Sequence, residues 1–347
     1  MTLDKLLPSP ETVFQSQLES IPEFEAACSS NADVASFHVI GSSEEGRPIA
    51  GIKIGTGDIR VSLVAGAHSD EPVGPETLRH LVSAMLSNRS RVQEYFDTYS
   101  FFIVPHVNPD GEARNLPWIK EWPSLGAYLE HVFREKPGRD VEFNYPDRRV
   151  ENRIVSEWLR ASGPFSLHMS LHGMGFSDGA MLLIEKNWTY RTEALQSGFI
   201  EVSLAAGLRP HDHNRKGEKG FFNIAPGFTT TPEGAAMRTY FLSHDDPETA
   251  ALFGDSSMEF IRSLGGDPLC LVTELPLFLV EGAAKPGVPA AYLEFKRLLP
   301  ELRLRAAQGL DLDAAKDQFG LSPLPITSAI QLQLAALELG LRTVSSV

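Results

Sequence analysis

Three observations predict an α/β fold: one single-domain, mixed and mostly parallel twisted sheet with helices on both faces. Apolar runs of strand length alternate with segments of helical periodicity from residue 36 to residue 274. Several of those runs, Val61 to Ala65 and Leu269 to Val272 among them, are almost continuously apolar, as strands covered on both faces are. At 347 residues the chain is long enough for one large domain, and domains near that size bury roughly 75% of their unfolded surface.

The elements follow in order. Strands are expected at 36–41, 48–55 and 60–66, the first two joined through the turn at Gly46-Arg47-Pro48. Pro75 to Leu86 carries apolar residues at helical spacing, and 98–105 returns to a strand. Residues 106–149 read as a long loop. Val150 to Ala161 is helical, 165–171 and 179–185 are strands, and Thr189 to Ala206 is helical. A second long loop, 209–234, precedes the helical segment Pro247 to Leu264 and the strand 269–274. Long loops in a compact domain are usually functional, so these two are expected to rim a site. Two further helical segments, Ala290 to Gln308 and Thr327 to Leu341, extend past it. The expected division is a catalytic domain at 1–285 and a C-terminal helical extension at 286–347, packed on the domain or mediating a homo-oligomer.

Composition narrows the function classes. With 31 Lys and Arg against 45 Asp and Glu the formal net charge is −14, which disfavours nucleic acid and anionic membrane as partners. Cys28 and Cys270 are the only cysteines, too few for a disulfide framework or a cysteine metal cluster. No basic segment followed by an apolar run opens the chain, and no stretch reaches the ~20 apolar residues that span a bilayer. A cytoplasmic protein is expected.

Chemistry is concentrated where apolar runs end. His68 and Glu71 follow the run Val61 to Ala65, and a turn brings positions three apart to about 5–6 Å between Cβ atoms. His172 ends a second apolar run, Phe165 to Leu171, just before glycine. His168 lies on the same strand, where a rise of about 3.3 Å per residue puts it some 13 Å away, so it is expected to be a core histidine. Two histidines and one glutamate leave a fourth position open, as catalytic zinc sites do. Glu274 is the one ionisable residue in a third run, Leu269 to Val280; a carboxylate there needs a partner or a chemical purpose.

These motifs resemble the zinc carboxypeptidases, the metallocarboxypeptidase or funnelin family, in order and approximate spacing from residue 37 to about 280. Phe37 to Ile49 resembles the family's entry strand and Gly-Arg-Pro turn; Val64-Ala-Gly-Ala-His-Ser-Asp-Glu71 resembles its zinc loop. Asn108-Pro-Asp-Gly111, Ser170-Leu-His-Gly173 and Thr273-Glu-Leu275 resemble three further segments. The resemblance implies one zinc ion per chain held by His68, Glu71 and His172, with Glu274 as general acid and base. It implies that an arginine polarises the scissile carbonyl, and Arg114, three residues past the Asn-Pro-Asp-Gly turn, is the candidate.

The substrate pocket departs from the family pattern. Where the family reads Asp-Leu-Asn-Arg-Asn-Phe-Pro, with an asparagine and an arginine clamping the substrate carboxylate, this chain reads Asp140-Val-Glu-Phe-Asn-Tyr-Pro146. Glu142 and Phe143 stand in the clamp positions; a slid register offers Asn144 and Tyr145. Arg149 is a substitute cation from another direction, with Arg148 and Arg153 beside it, and Met258 is expected to line the pocket. The mobile-loop tyrosine of the family has no counterpart in Ala250 to Phe260, and Tyr240 is the nearest candidate. His211, His213 and Glu218 have cupin-like spacing, but a chain laced with helical segments does not suit an all-β roll; this stretch is expected to be a loop. His106, at an apolar strand end, is expected to be structural.

The expected function is a zinc-dependent hydrolase acting on an amide bond, a carboxypeptidase-like metallopeptidase. The alternatives are a deacylase of the succinylglutamate desuccinylase or aspartoacylase kind, acting on N-acyl amino acids, and a non-catalytic metal-binding module.

Overall fold

A computed structural model describes residues 2–283 and 285–346. Among the described residues ten strands form one sheet: β1 Ala35–Ser42, β2 Pro48–Ile54, β3 Ile59–Ala65, β4 Tyr99–Val104, β5 Leu167–Ser177, β6 Met181–Ile184, β7 Asn223–Ala225, β8 Phe228–Thr230, β9 Leu269–Leu279 and β10 Ser322–Pro323. Their order is β1-β2-β4-β3-β5-β9-β6-β8-β7, with β10 on β9. Pairing is parallel through the centre, β4-β3-β5-β9, and again between β6 and β8. It is antiparallel at β1-β2, β2-β4, β6-β9, β7-β8 and β9-β10. The mixed sheet matches expectation, with parallel character concentrated where the candidate site lies.

Alternation along the central strands fills two layers. Val61, Leu63 and Ala65 of β3 and Leu167, Met169 and Leu171 of β5 face one core, where Leu78, Leu81 and Met85 of helix Val73–Ser87 meet Ile330 and Leu334 of helix Ile326–Ser345. Val64, Cys270 and Val272 face the other, against Val155 and Leu159 of helix Val150–Ser162 and Ile261 of helix Ser257–Ser263. Covering on both faces explains why these strands carry apolar residues on both sides, with buried Ser62, His168 and Ser170 among them.

Three features of the fold bear on the site. β5 and β9 run on to Ser177 and Leu279, because they keep pairing with each other past the rest of the sheet. The region 106–149, expected to be a loop, contains two α-helices, Pro109–Ile119 and Leu125–His131, the first capped by Asn108 accepting from the Gly111 amide at 3.1 Å. The helices beyond residue 285 share the main core: Phe295, Leu302, Ile330 and Leu337 are buried in the same cluster as the central strands. β10 joins β9, so the packing has no break at residue 285. No helix among the described residues is long and apolar enough to cross a membrane.

Candidate active site

β3 ends at Ala65, and the chain must turn at once. Gly66 has φ 73°, and a Cβ there would lie 2.4 Å from His106 Nδ1, so the turn requires glycine both for its backbone and for its space. His68 and Glu71 follow, immediately before helix Val73–Ser87. The β3–β5 register sets Ala65 beside Leu171, which brings His172, one residue further, level with that loop. The β5–β9 register sets His172 directly beside Glu274.

The result is a compact donor set. His172 Nδ1 is 3.1 Å from His68 Nδ1 and 2.9 Å from Glu71 Oε2, and His68 Nδ1 is 3.0 Å from Glu71 Oε1. One ligand atom from each residue lies within 4.8 Å of the others, the one such group of His, Cys, Asp or Glu among the described residues. The outer ring nitrogens are held by carboxylates, His68 Nε2 by Asp140 at 3.3 Å and His172 Nε2 by Glu142 at 3.2 Å. Such partners orient ligand imidazoles and raise their basicity. Two imidazoles and one carboxylate with an open side fit a zinc ion.

Burial opposes charging His172, but its bonds to Glu142 and Glu71 outweigh burial and carry its pKa up to about 10. Burial likewise opposes ionising Glu71, yet the charges of His68 and Arg134 hold its carboxyl well below the usual range. Arg134 donates to Asp70 Oδ1 and Glu71 Oε1, both at 2.5 Å.

Glu274 has no such support. Its Oε2 is buried without a hydrogen-bond partner, and burial, then the charge of Glu71, pushes its pKa to about 8. It lines a cavity of about 440 Å³ together with His68, Glu71, Tyr128, Arg134, Arg215 and Tyr292. A carboxylate left unbonded beside a metal-type donor set is poised to exchange protons.

Several residues singled out in the sequence lie elsewhere. Arg114 faces an adjoining cavity of about 310 Å³, pairs with Glu45 and donates to the Asp110 carbonyl at 2.7 Å. The helical register of Pro109–Ile119 turns it toward the Glu44–Glu45 hairpin instead of Glu274. Arg149 lines that second cavity and is tied to Glu151 at 3.1 Å and to the Arg139 carbonyl at 2.7 Å. Asn144 bonds back to the Asp140 carbonyl. Tyr145 is buried against Phe260 with ring centroids 5.7 Å apart, and Met258 is buried in the same layer. None of Arg114, Asn144, Tyr145, Arg149 and Met258 lines the cavity that Glu274 faces. Glu142, in a clamp position, serves His172.

Tyr240 is also outside the cavity, packed on Phe241 and His244. His211 bonds Asp178 at 2.5 Å and meets Tyr292 edge-on at 5.0 Å, while His213 lies 6.3 Å from the same ring. The pair thus buttresses Tyr292. His168 is held between Ser62 and Ser257 at 3.1 and 3.3 Å, and burial pushes its pKa to about 3. His106 accepts from the Asn108 amide at 3.2 Å and is likewise buried.

Sequence reasoning missed the cavity wall. Helix Ala290–Ala307 presents Tyr292, Lys296, Leu299 and Arg303 to it, spaced four, three and four residues apart as one helical face requires. That spacing was readable, but nothing in it said which end of the sheet the helix would cover. Tyr128 reaches the wall because Gly175 leaves room: a Cβ at that position would lie 2.1 Å from the phenol oxygen. Gln333, from the last helix, donates to the His172 carbonyl at 3.0 Å and to Thr273 Oγ1 at 3.1 Å, bracing both site strands from behind.

Comparison with known proteins agrees with this geometry. A family model described as zinc carboxypeptidase matches residues 23–196, half of the chain. Carboxypeptidase B of Astacus astacus is 25% identical over 140 residues, covering 39% of this chain and 46% of that protein. Carboxypeptidase E of Caenorhabditis elegans is 30% identical over 194 residues, 46% of this chain and 40% of that one. The match spans less than half the length of these curated relatives. Among solved structures, carboxypeptidase A from Helicoverpa armigera aligns with a TM-score of 0.56 at 13% identity, covering 98% of this chain and 75% of that one. Thrombin-activatable fibrinolysis inhibitor aligns at 0.55 and 13%, covering 99% and 82%. With the sheet, the ligand loop and the family model in agreement, the chain belongs to the zinc carboxypeptidase family.

Proposed function

We propose that the protein is a zinc-dependent hydrolase that cleaves the amide bond before a C-terminal residue of a peptide. The observation that carries this reading is the unbonded Glu274 carboxylate, in register with His172 and beside the His68, Glu71 and His172 donor set. His68, Glu71 and His172 hold the metal, oriented by Asp140 and Glu142. When bound, zinc supplies Lewis acidity at the scissile carbonyl and makes water acidic enough to ionise near pH 7.

Glu274 accepts the proton of the attacking water as its oxygen bonds to the carbonyl carbon. Glu274 then returns that proton to the amide nitrogen as the C–N bond breaks, leaving a carboxylic acid and an amine, which takes up the acid's proton to give carboxylate and ammonium. Arg134 takes the carbonyl-polarising role expected of Arg114. Its Nη1 is not used in the bonds to Asp70 and Glu71, and losing one such donor commonly costs about 2.7–4 kcal/mol of barrier.

The test is elemental analysis and turnover on a panel of peptides and N-acyl amino acids, run with Glu274→Gln. The expected outcome is about one zinc per chain in both proteins, with peptide turnover abolished in the variant. Full activity in Glu274→Gln would sink the proton-transfer assignment. Cleavage of N-acyl amino acids alone would favour the deacylase reading, which gains support from the clamp-position residues Glu142, Phe143, Asn144 and Tyr145 standing outside the cavity.

A further inference from the structure

The cavity carries more positive charge than hydrolysis needs. Asp70 and Glu71 are both engaged by Arg134, so among its lining residues Glu274 is the remaining acid against Arg215, Lys296 and Arg303. None of these three cations is ion-paired with a carboxylate of the described chain. Arg215 is half-buried, its guanidinium carbon 4.0 Å from the centre of the Phe221 ring. Lys296 stands 5.7 Å from the centre of the Tyr292 ring. This arrangement occurs in a chain of net charge −14, where an unneutralised positive cavity creates a local field that draws in anions.

Two elements deliver these cations, and they are tied together. The Asn214 amide donates to the Gly287 carbonyl at 3.1 Å, and the Gly287 amide to Asp212 at 2.6 Å. This fixes the Arg215 loop to the start of helix Ala290–Ala307. Lys296 and Arg303 are seven residues apart, about 10.5 Å along the axis. Lys296 stands over Tyr292, on which the Arg215 charge also acts, and the Arg303 charge acts on Tyr128. Arg215 alone would satisfy a single substrate carboxylate.

We infer that the cavity selects a C-terminal residue bearing a second carboxylate, glutamate or aspartate. Arg215 receives one carboxylate of the leaving amino acid and Lys296 the other, while Arg303 extends the positive field toward Tyr128. This assignment rests on the hydrolase reading above, so its test reads binding separately from turnover.

The experiment uses the 347-residue chain with Glu274→Gln, loaded with zinc, and measures its affinity for N-acetyl-Ala-Ala-Glu, N-acetyl-Ala-Ala-Gln and N-acetyl-Ala-Ala-Leu by calorimetry. Wild-type turnover is measured on the same three peptides. The Glu peptide is expected to bind at least about tenfold more tightly than the Gln peptide, a ratio equal to ~1.4 kcal/mol, with the gap shrinking as salt is raised. Adding Lys296→Gln and Arg303→Gln brings the ratio to within about twofold, whereas Arg215→Ala weakens both peptides. Equal affinity for Glu and Gln peptides in the parent protein overturns the inference and leaves the hydrolase reading standing. Tight, Glu-selective binding with no turnover by the wild type supports the inference and overturns the hydrolase reading.

Discussion

Asp140 offers a quantitative test of how the donor set is held. Its Oδ2 lies 3.3 Å from His68 Nε2, and its Oδ1 accepts the Glu142 amide at 2.9 Å. Asp140→Ala removes both bonds. Loss of a carboxylate behind a ligand histidine typically weakens metal binding 10- to 100-fold. Here the contact is at the long end of the hydrogen-bond range and the Asp140 side chain keeps 18% of its exposure. The lower end applies: about tenfold in the zinc dissociation constant, ~1.4 kcal/mol.

The lost turn bond acts on folding instead, at about 1 kcal/mol. The two effects separate in two assays. Competition for zinc against a chromophoric chelator, at fixed pH and salt, reads the first; thermal unfolding of the zinc-free protein reads the second. Asp140→Asn keeps an acceptor and should fall between wild type and alanine. A zinc affinity within twofold of wild type in Asp140→Ala would refute the idea that Asp140 positions His68.

Other perturbations follow from the packing. Burial pushes the Glu112 carboxyl from its ordinary 4.5 to about 8, so the folded chain keeps a proton there that the unfolded chain has released. Its stabilising contribution is full below pH 4.5 and is lost as pH rises toward 8, by up to ~1.4 kcal/mol per pH unit. Glu112→Gln should flatten that decline, and equal slopes for the two proteins between pH 5 and 8 would contradict the assignment. Gln333→Leu leaves Thr77, Thr273 and the His172 carbonyl without their buried partner. About 1–3 kcal/mol of stability should be lost in denaturant titration, and peptide turnover should fall as the site strands loosen. Phe295 is fully buried against Phe176 at 4.6 Å and Phe319 at 5.2 Å. Phe295→Ala should cost about 3–5 kcal/mol and weaken substrate binding more than zinc binding, because it supports the Tyr292 and Lys296 face and no metal ligand.

The ligand loop was legible because its geometry is local. An almost continuous apolar run, a glycine and a histidine three residues before a glutamate define a strand end and a turn, and that pattern survives folding intact. His168 could be separated from His172 by strand rise alone, and the structure keeps it in the core between Ser62 and Ser257. The helices Gln17–Ser29 and Pro109–Ile119 went unread, although a Ser16–Glu19 capping box and an Asn108-Pro109 start mark them. Arg114 and Arg149 show the opposite case. A cation near a motif in sequence can be claimed by any carboxylate that folding brings closer, and Glu45 and Glu151 claim these two.

Local residue order by itself thus determined the α/β sheet, the three donor residues and the position of Glu274, since strand period and turn chemistry act over a few residues. Tertiary structure alone decided which cations face the cavity. Helix Ala290–Ala307 and the Arg215 loop reach it only because Phe295 and Leu302 enter the shared core and the Asn214 and Gly287 bonds join the two segments. Those contacts link residues far apart in the chain, and no local pattern specifies where such segments land.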